Sequence, residues 1–363
     1  RFFFFYWPHF LHGLIMHITL LIPNLLWPAI DDLARSDLSA CPALETLLVR
    51  GRLCGSAPLG LEQSLCRLFG HDPDAACAPF RRLGEMAASD DKAAARWLCA
   101  DPVHLHFRRN RLFLVDGRQL DILPEEVQQL LAALHAELPD IGFFDATSPE
   151  CWYFQPADPA LPPLFAPPLA TLAGDCIDEV LPEVLDAPDW RRLLTAVQTV
   201  LHAHPVNRQR EAAGRLTINS LWLWGDGVLP ARRESRFDGL WSTLPLARGL
   251  ARAAGVPTHP LPSDAAHFLA HAAPGTEQLI VLDDLSAALR HEDGPAWRDA
   301  LAALESHWFA PLKNALAAGQ LQHVHLHVPG ASATLDGTCS RADLWKFWRR
   351  RLRLPEPCFS QCS

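Results

Sequence analysis

The chain has 363 residues, of which 49% are hydrophobic, and it carries a formal net charge of −9. This composition predicts a protein with a large buried core and excludes an intrinsically disordered chain. The acidic balance excludes a protein whose whole surface binds nucleic acid, because such binding needs clustered lysine and arginine. We therefore expect no nucleic-acid partner.

The first 27 residues are apolar over a length that could span a bilayer. Pro8, Pro23 and three histidines interrupt this run, and no small-residue cleavage site follows it, so we expect neither a membrane anchor nor a signal peptide. Met16 opens a predicted first strand over residues 16–27. Residues 1–15 are accordingly interpreted as translated upstream sequence, and no membrane contact is expected.

The ten cysteines are scattered along the chain without a CxxC pair. Their spacing is typical of neither a zinc knuckle nor a thioredoxin-like motif. In a chain of this length we expect reduced thiols that act as small buried hydrophobes rather than a disulfide framework. Reduced thiols predict a cytoplasmic protein.

Helical patterns and one hairpin dominate the chain before residue 156. Residues 41–99 alternate helix-like apolar patterns with Gly and Pro breaks. Two alternating runs over 102–120 flank Arg109-Asn110 and predict a β-hairpin. An amphipathic helix is predicted over 124–138, because Pro124 stands at its start and acidic residues fill its first turn.

Proline-rich residues 156–168 predict a loop, since neither a helix nor a central strand continues through them. We place a division there between an N-terminal portion, residues 16–155, and a C-terminal portion, residues 169–354, followed by a tail over 355–363. The C-terminal portion alternates helices and strands, which predicts parallel strands joined by crossover helices in an α/β layered sheet. Its predicted elements are helix 189–203, strand 217–224, helix 245–254, strand 278–283, helix 295–318, strand 322–328 and helix 341–352.

A candidate ligand site lies around the predicted strand 217–224. Ligands of open α/β sheets bind beyond the carboxyl ends of the strands, and Gly225-Asp226-Gly227 falls at that end. Two glycines permit a sharp turn and the close approach of an anion, although an ordinary turn is the alternative. Arginine upstream of the strand suits recognition of phosphate or carboxylate. The predicted ligand-binding residues are His204, Asn207, Arg210, Asn219, Trp224, Gly225, Asp226 and Gly227.

The segment 204-HPVNRQREAAGRLTINSLWLWGDG-227 resembles a segment of the archaeal-type cofactor-independent phosphoglycerate mutases, which belong to the alkaline phosphatase superfamily. It resembles even more closely the bacterial RpfE-type regulatory proteins. This second resemblance also takes in 101-DPVHLHF-107 and 307-HWFAPLKNAL-316, and it covers most of residues 16–330. Both resemblances imply an alkaline-phosphatase-like, mostly parallel layered sheet with crossover helices, to which the chain adds a helical and β-hairpin N-terminal portion.

The mutase resemblance implies a serine nucleophile and two divalent metals, manganese or magnesium, held by Asp and His. The first strand of these mutases ends in a metal-binding Asp-Gly pair. Here the strand ends in Pro23-Asn24, and the next carboxylates are Asp31 and Asp32. One metal ligand therefore has no evident replacement, and no cofactor is certain.

Candidate metal ligands follow the predicted strand 278–283, although their spacing departs from the mutase pattern. The alternative is helix capping, with Asp284 or Ser286 accepting from free N–H groups. The candidate ligands are Asp283, Asp284 and His291, with Asp293 nearby.

Three histidines, His323, His325 and His327, alternate along the predicted strand 322–328 and point to one face. Three imidazoles in line seldom converge on one metal without a partner carboxylate. We therefore interpret them as a polar face at a sheet edge rather than as metal ligands. The C-terminal run 345-WKFWRRRLRL-354 predicts a terminal helix that docks through its aromatic face, or alternatively binds a protein partner through its basic face.

The sequence thus favours a regulatory or ligand-sensing protein related to phosphoglycerate mutase that is catalytically degenerate and binds a small phosphorylated or anionic ligand. The alternative is an active metal-dependent mutase or phosphatase. A partner-binding module that uses the basic C-terminal segment is the second alternative.

Overall fold

The structure is a computed structural model that describes residues 15–26, 41–86, 95–172, 176–178, 180, 187–290, 293–330 and 333–349. The predicted sites at Asp31, Asp32 and His291 lie outside the described residues. The strands are β1 (Met16–Leu21), β2 (Arg52–Ser56), β3 (Trp97–Arg108), β4 (Arg111–Asp116), β5 (Gly142–Ser148), β6 (Cys151–Pro156), β7 (Ser220–Gly227), β8 (Gly239–Trp241), β9 (Thr258–His259), β10 (Glu277–Val281), β11 (Leu321–Val328) and β12 (Thr334–Ser340).

The α-helices alternate with these strands along the chain. They are α1 (Pro42–Arg50), α2 (Leu61–Leu68), α3 (Cys77–Glu85), α4 (Pro124–Glu137), α5 (Pro188–Ala203), α6 (Pro205–Ala212), α7 (Pro245–Ala254), α8 (Ala265–His271), α9 (Leu285–Arg290), α10 (Gly294–Leu304) and α11 (Ala310–Ala318). A π-helical turn, Glu305–Phe309, joins α10 to α11. The helix predicted over 295–318 is therefore confirmed as one continuous helical segment.

The larger sheet has the strand order β2-β12-β11-β1-β10-β8-β9. Its central strand β1 runs parallel to both β10 and β11, and β8 and β9 continue the parallel set. On the other side of β11, β12 pairs antiparallel with β11, and β2 pairs antiparallel with β12. The predicted α/β fold with a layered, mostly parallel sheet is confirmed.

The smaller sheet has the order β4-β3-β6-β5, and β7 pairs with β3 in antiparallel orientation. The predicted hairpin is confirmed, since β3 and β4 are joined through Arg109 and Asn110, whose φ angles are 50° and 61°. The placement of strand 217–224 in the parallel sheet is wrong, because β7 lies in the smaller sheet and runs antiparallel to its partner β3. Both sheets take strands from either side of residues 156–168, so the predicted division there does not separate the two sheets.

Two hydrophobic cores cover the two faces of the larger sheet. Successive side chains of a strand point to opposite faces, so Leu20 of β1 packs with Leu326 in one core while Leu21 packs with Val281 in the other. The first core lies against α10 and α11, and the second lies between the larger sheet and the smaller one. The described cysteines are free thiols; five of them are buried as the sequence predicted, whereas Cys54 is exposed and Cys151 and Cys176 are half-buried.

The described part of the C-terminal run differs from the predicted helix 341–352. It contains only a 3-10 turn, Asp343–Trp345, and the side chains of Trp345, Phe347 and Trp348 are exposed rather than docked. Arg349 instead faces the protein and donates to the carbonyl oxygen of Gly51. Partner binding through this segment stays a prediction. Within the described residues no helix has the length and apolar character needed to cross a membrane.

Candidate functional site

Asn207 ties α6 to the chain that enters β7. Its side-chain amide donates to the carbonyl oxygens of Leu201 at 2.7 Å and Ile218 at 2.8 Å, and its Oδ1 accepts from the Ile218 N–H at 2.8 Å. The residue is only 2% exposed. His204 precedes the helix as its N-cap, where Nδ1 accepts from the Val206 N–H at 3.2 Å. Both side chains therefore hold the local backbone in place.

Arg210 is buried beneath the same connection, with 1% of its surface exposed. Its Nε donates to the carbonyl oxygen of Leu216 at 2.7 Å, and Nη1 donates to Glu126 Oε2 at 2.6 Å. Nη2 donates to the carbonyl oxygen of Leu120. All three guanidinium nitrogens thus bond to acceptors within the protein, and the Arg210–Glu126 ion pair fixes α4 to α6.

Asn219 and Trp224 hold β7 against β3. The amide of Asn219 exchanges two hydrogen bonds of 2.8 Å with the backbone of Leu105, as a paired strand residue would. Trp224 donates from Nε1 to Asp101 Oδ2 at 2.8 Å, and Asp101 also forms a bidentate ion pair with Arg81. These contacts are cross-strand and interior contacts of the smaller sheet.

Asp226 forms a buried ion pair at the end of β7. Its carboxylate accepts from Arg96 Nε at 2.7 Å and Nη2 at 2.5 Å, and the Leu164 N–H donates to Oδ2 at 2.8 Å. Arg96 in turn donates to the carbonyl oxygens of Leu161 and Pro162. The Arg96–Asp226 pair therefore holds the proline-rich loop, residues 156–168, against the smaller sheet.

The two glycines beside Asp226 allow close packing on α3. Gly225 has φ 68°, and a Cβ built there would lie 3.0 Å from the backbone nitrogen of Ala78. Gly227 has φ 155°, and its Cβ would lie 2.6 Å from the Cβ of Ala76. The absence of a Cβ at these two positions therefore lets the start of α3 pack against this corner.

The eight predicted ligand-binding residues lie in two groups at opposite ends of β7. Asn219 and Asp226 are seven residues apart along an extended strand, which separates them by about 23 Å. One small anion cannot contact both groups. The corner at 225–227 also belongs to the antiparallel sheet, so its predicted position beyond a parallel strand is wrong.

The carboxyl edge of the parallel sheet is formed by the ends of β1, β10 and β11. Asn24, with φ 61°, follows β1; its side-chain amide donates to Ser286 Oγ at 3.0 Å, and its carbonyl oxygen accepts from Trp297 Nε1 at 3.0 Å. Asp283 and Asp284 follow β10, the first half-buried and the second exposed. The structure thus brings the predicted Asp283 to the end of β1, as the parallel pairing requires.

His325, His327 and Asp336 form a cluster on the face of the larger sheet, which we call the His–His–Asp cluster. Each residue offers one ligand atom, and these atoms lie within 4.8 Å of one another. Nδ1 of His327 lies 2.6 Å from Asp336 Oδ1, and Nε2 of His325 lies 3.5 Å from the same oxygen. Nδ1 of His325 is 2.8 Å from Thr338 Oγ1.

The cluster has the features of a site for one metal ion. Two imidazoles and a carboxylate are a common ligand set for divalent transition metals. His327 is 2% exposed, and its Nδ1 faces Asp336 Oδ1 at 2.6 Å. Burial acts to raise the pKa of Asp336, but hydrogen bonds from His325 and His327 outweigh it and hold that pKa below its usual range. Asp336 is therefore an anion available to a cation.

Sequence reasoning missed this cluster because it did not predict β12. The histidine row was placed at a sheet edge, but β11 is an interior strand between β1 and β12. Antiparallel pairing sets Asp336 opposite His327 and supplies the carboxylate that three imidazoles in line lack. The alternation in 334-TLDGTCS-340, where Leu335, Gly337 and Cys339 are buried, is the signal that could have revealed the strand.

No family model matches the sequence. A 2,3-bisphosphoglycerate-independent phosphoglycerate mutase of Methanosarcina acetivorans is 26% identical over 238 residues, which are 59% of this chain and 56% of that protein. The mutase of Methanosarcina mazei is 28% identical over 207 residues, 52% of this chain and 49% of that protein. The chain thus matches about half the length of these relatives.

The PH0037 protein from Pyrococcus horikoshii matches with a TM-score of 0.55 and 13% identity, over 90% of this chain and 88% of that one, which shows a shared fold. A cofactor-independent phosphoglycerate mutase from Thermoplasma acidophilum has a TM-score of 0.45 and 18% identity, over 90% of each chain. The Methanosarcina sequences support the predicted relation to the phosphoglycerate mutases at 26–28% identity, whereas the closer resemblance to RpfE-type regulatory proteins stays a prediction.

Proposed function

We propose that this relative of the cofactor-independent phosphoglycerate mutases is a regulatory or ligand-sensing protein that binds a small phosphorylated or anionic ligand and has lost mutase catalysis. The observation that carries the proposal is the end of β1. Asn24 stands there, where the mutase resemblance implies a metal-binding Asp-Gly pair, and its amide is bonded to Ser286.

Asn24 suits a structural role better than a catalytic one. A neutral amide supplies no charge to offset a dication, whereas manganese and magnesium favour carboxylates. The side-chain amide of Asn24 links β1 to α9, and its carbonyl oxygen accepts from Trp297 of α10. A two-metal phosphoryl transfer needs ligands that neutralise both ions and the transferring group. The described end of β1 does not supply such a ligand.

An anionic ligand requires positive charge that the protein has not already neutralised. Arg210 and Arg96 are held by Glu126 and Asp226. Asp283 and Asp284 would repel an anion. The imidazole of His325 has 26% of its side-chain surface exposed, and a cation held between it and Asp336 would supply the positive charge, so we place the anion on the face of β11, beside this residue.

Calorimetry and a turnover assay with 3-phosphoglycerate test the proposal together. We expect wild-type protein to bind 3-phosphoglycerate and to convert none of it in the presence of manganese or magnesium. Binding should fall in His325→Gln and persist in His202→Gln, which changes an exposed histidine of α5. Absence of binding, or conversion by the wild-type protein, contradicts the proposal.

The alternative of an active metal-dependent mutase or phosphatase is favoured by one observation. Asp283 and the His–His–Asp cluster lie near the same end of adjoining parallel strands, because Leu21 of β1 is level with both Val281 and His327. Two bound metals per chain together with turnover of a phosphoester would establish this alternative. The same turnover assay therefore separates the two functions.

A further inference from the structure

We propose that His325, His327 and Asp336 bind a single divalent transition-metal ion of the zinc class, with one coordination position open for an anion. The mutase resemblance implies metal ligands at the end of β1 and after β10, whereas this cluster lies on β11 and β12. The metal part stands without the proposed function. The anion part rests on the proposed function, and it identifies the bound metal ion as the group that would hold the phosphate.

The strand pairing brings the three side chains together. His327 lies directly opposite Asp336 in the antiparallel pair β11–β12, and His325 lies opposite Thr338. Directly opposite and diagonal residues on one face of such a pair are close enough for long side chains to meet. The register therefore fixes two imidazoles and a carboxylate around one point without help from a loop.

The distances from Asp336 to the two histidines suit one small ion. Metal–ligand bonds of 2.0–2.1 Å in a tetrahedral site place the ligand atoms about 3.4 Å apart. Nε2 of His325 is 3.5 Å from Asp336 Oδ1, and Nδ1 of His327 is 2.6 Å from it. An ion that replaces the proton between His327 and Asp336 needs these two atoms to separate by less than about 1 Å. Rotation of the Asp336 side chain, which is 25% exposed, can provide that movement.

Thr338 holds His325 in the orientation that a ligand needs. Its hydroxyl is 2.8 Å from His325 Nδ1 and can accept the Nδ1–H once a metal ion replaces the proton on Nε2. Metal-binding histidines commonly donate their second N–H to such an oxygen. A metal ion would then take the place of the proton between Nε2 and Asp336 Oδ1.

The ligand set selects the class of metal. Imidazole nitrogens favour zinc, cobalt, nickel and copper, whereas magnesium and calcium favour oxygen ligands. Three protein ligands leave the fourth position of a tetrahedral ion open. His325 and Asp336 have 26% and 25% of their side-chain surfaces exposed, so an ion can enter and an anion can reach it from solvent.

Zinc titration of the full chain tests the metal part. We expect one equivalent of Zn²⁺ by calorimetry and elemental analysis, and a tetrahedral absorption spectrum when Co²⁺ replaces it. His325→Gln should weaken binding by more than about 100-fold, since loss of an outer partner alone costs roughly 10–100-fold. Thr338→Val, which removes such an outer partner, should fall in that lower range.

His323→Gln is the matched control, because it changes a histidine on the same face of β11 that stacks on His17 instead. It should bind Zn²⁺ as the wild type does. Absence of Zn²⁺ binding by folded wild-type protein overturns the proposal, as does equal binding by folded His325→Gln. Preferential binding of magnesium over zinc also overturns it.

Inorganic phosphate added to the Co²⁺-loaded protein tests the anion part. We expect the Co²⁺ spectrum to change as phosphate fills the open position. An unchanged spectrum overturns the anion part and leaves the metal site standing. Binding of 3-phosphoglycerate that is unaffected by removal of metal also overturns the anion part, while the proposed function itself survives.

Discussion

The segment that leads into β7 and the face formed by β11 and β12 are both rich in polar side chains, but they use them differently. Asn207 and Arg210 are 2% and 1% exposed, and each bonds to protein atoms. His325 and Asp336 keep about a quarter of their side-chain surfaces open to solvent. The polar side chains of the first region hold the fold together, whereas the exposure of those in the second leaves them accessible to a ligand.

Arg210→Ala should give the largest effect and tests the structural half of the comparison. The substitution leaves the carbonyl oxygens of Leu216 and Leu120 without their donor, while Glu126 keeps Arg215 as a partner, so we expect a loss of about 2–4 kcal/mol in the free energy of unfolding. Arg208→Ala is the control on the same helix, where an exposed side chain should change stability by no more than about 0.5 kcal/mol. Urea denaturation measures both, and equal stabilities would break the comparison.

Gly225→Ala also tests whether the segment around β7 is structural, because it probes whether the protein's own atoms fill the glycine corner at 225–227. A positive φ costs a non-glycine residue about 1–2 kcal/mol, and the new Cβ would also press on the backbone nitrogen of Ala78 at 3.0 Å. Gly214→Ala is the control, since φ is 70° there and nothing lies within 4 Å. Thermal unfolding should show a larger loss at Gly225, and equal losses would mean the corner has room for a ligand.

Asp336→Asn tests the electrostatic interaction between Asp336 and the two histidines of the His–His–Asp cluster. The pKa of Asp336 is held below its usual range, so its contribution to stability is present above the unfolded value of about 3.9 and is lost as pH falls through the folded value. We expect the wild type to lose about 1–2 kcal/mol more than the variant between pH 6 and pH 2. Parallel loss in the two proteins, measured by denaturation across pH, would show that Asp336 gains nothing from the histidines.

His325→Gln should have the smallest effect on stability. The side chain is partly exposed; it bonds to Thr338, and its Nε2 lies 3.5 Å from Asp336, which keeps His327 as a closer partner, so we expect a loss below about 1 kcal/mol. The same variant should lose metal binding. A destabilisation as large as that of Arg210→Ala would place His325 among the structural polar residues and remove the contrast between the two regions.

The sequence predicted much of the fold, because the signals for its elements are local. Pro124 marked the start of α4, the regular pattern of the C-terminal portion located α5 and α7, an apolar run located β10, and alternation located β11. The sheet partners could not be predicted in the same way. Pairing of β7 with β3 joins residues more than 100 positions apart, and nothing local distinguishes it from a parallel strand.

The candidate site shows the same limit. The histidine row was visible as a row of alternating side chains, but its carboxylate comes from β12, whose short alternation was not recognised. The arginine and asparagine of the β7 segment were visible as residue types, but their partners Glu126 and Ile218 are set by the tertiary fold. The residue types of the candidate site could be predicted from the sequence. Whether each side chain is free to bind a ligand or is already bonded within the protein could not.

The most direct test is one titration of isotope-labelled protein with Zn²⁺ and then 3-phosphoglycerate, followed by NMR signals of the histidine rings and arginine Nε–H groups. We expect the ring signals of His325 and His327 to shift at both steps, while those of His204 and Arg210 stay in place. Shifts at His204 and Arg210 without change at His325 and His327 would contradict the account, because the ligand would then bind at the β7 segment.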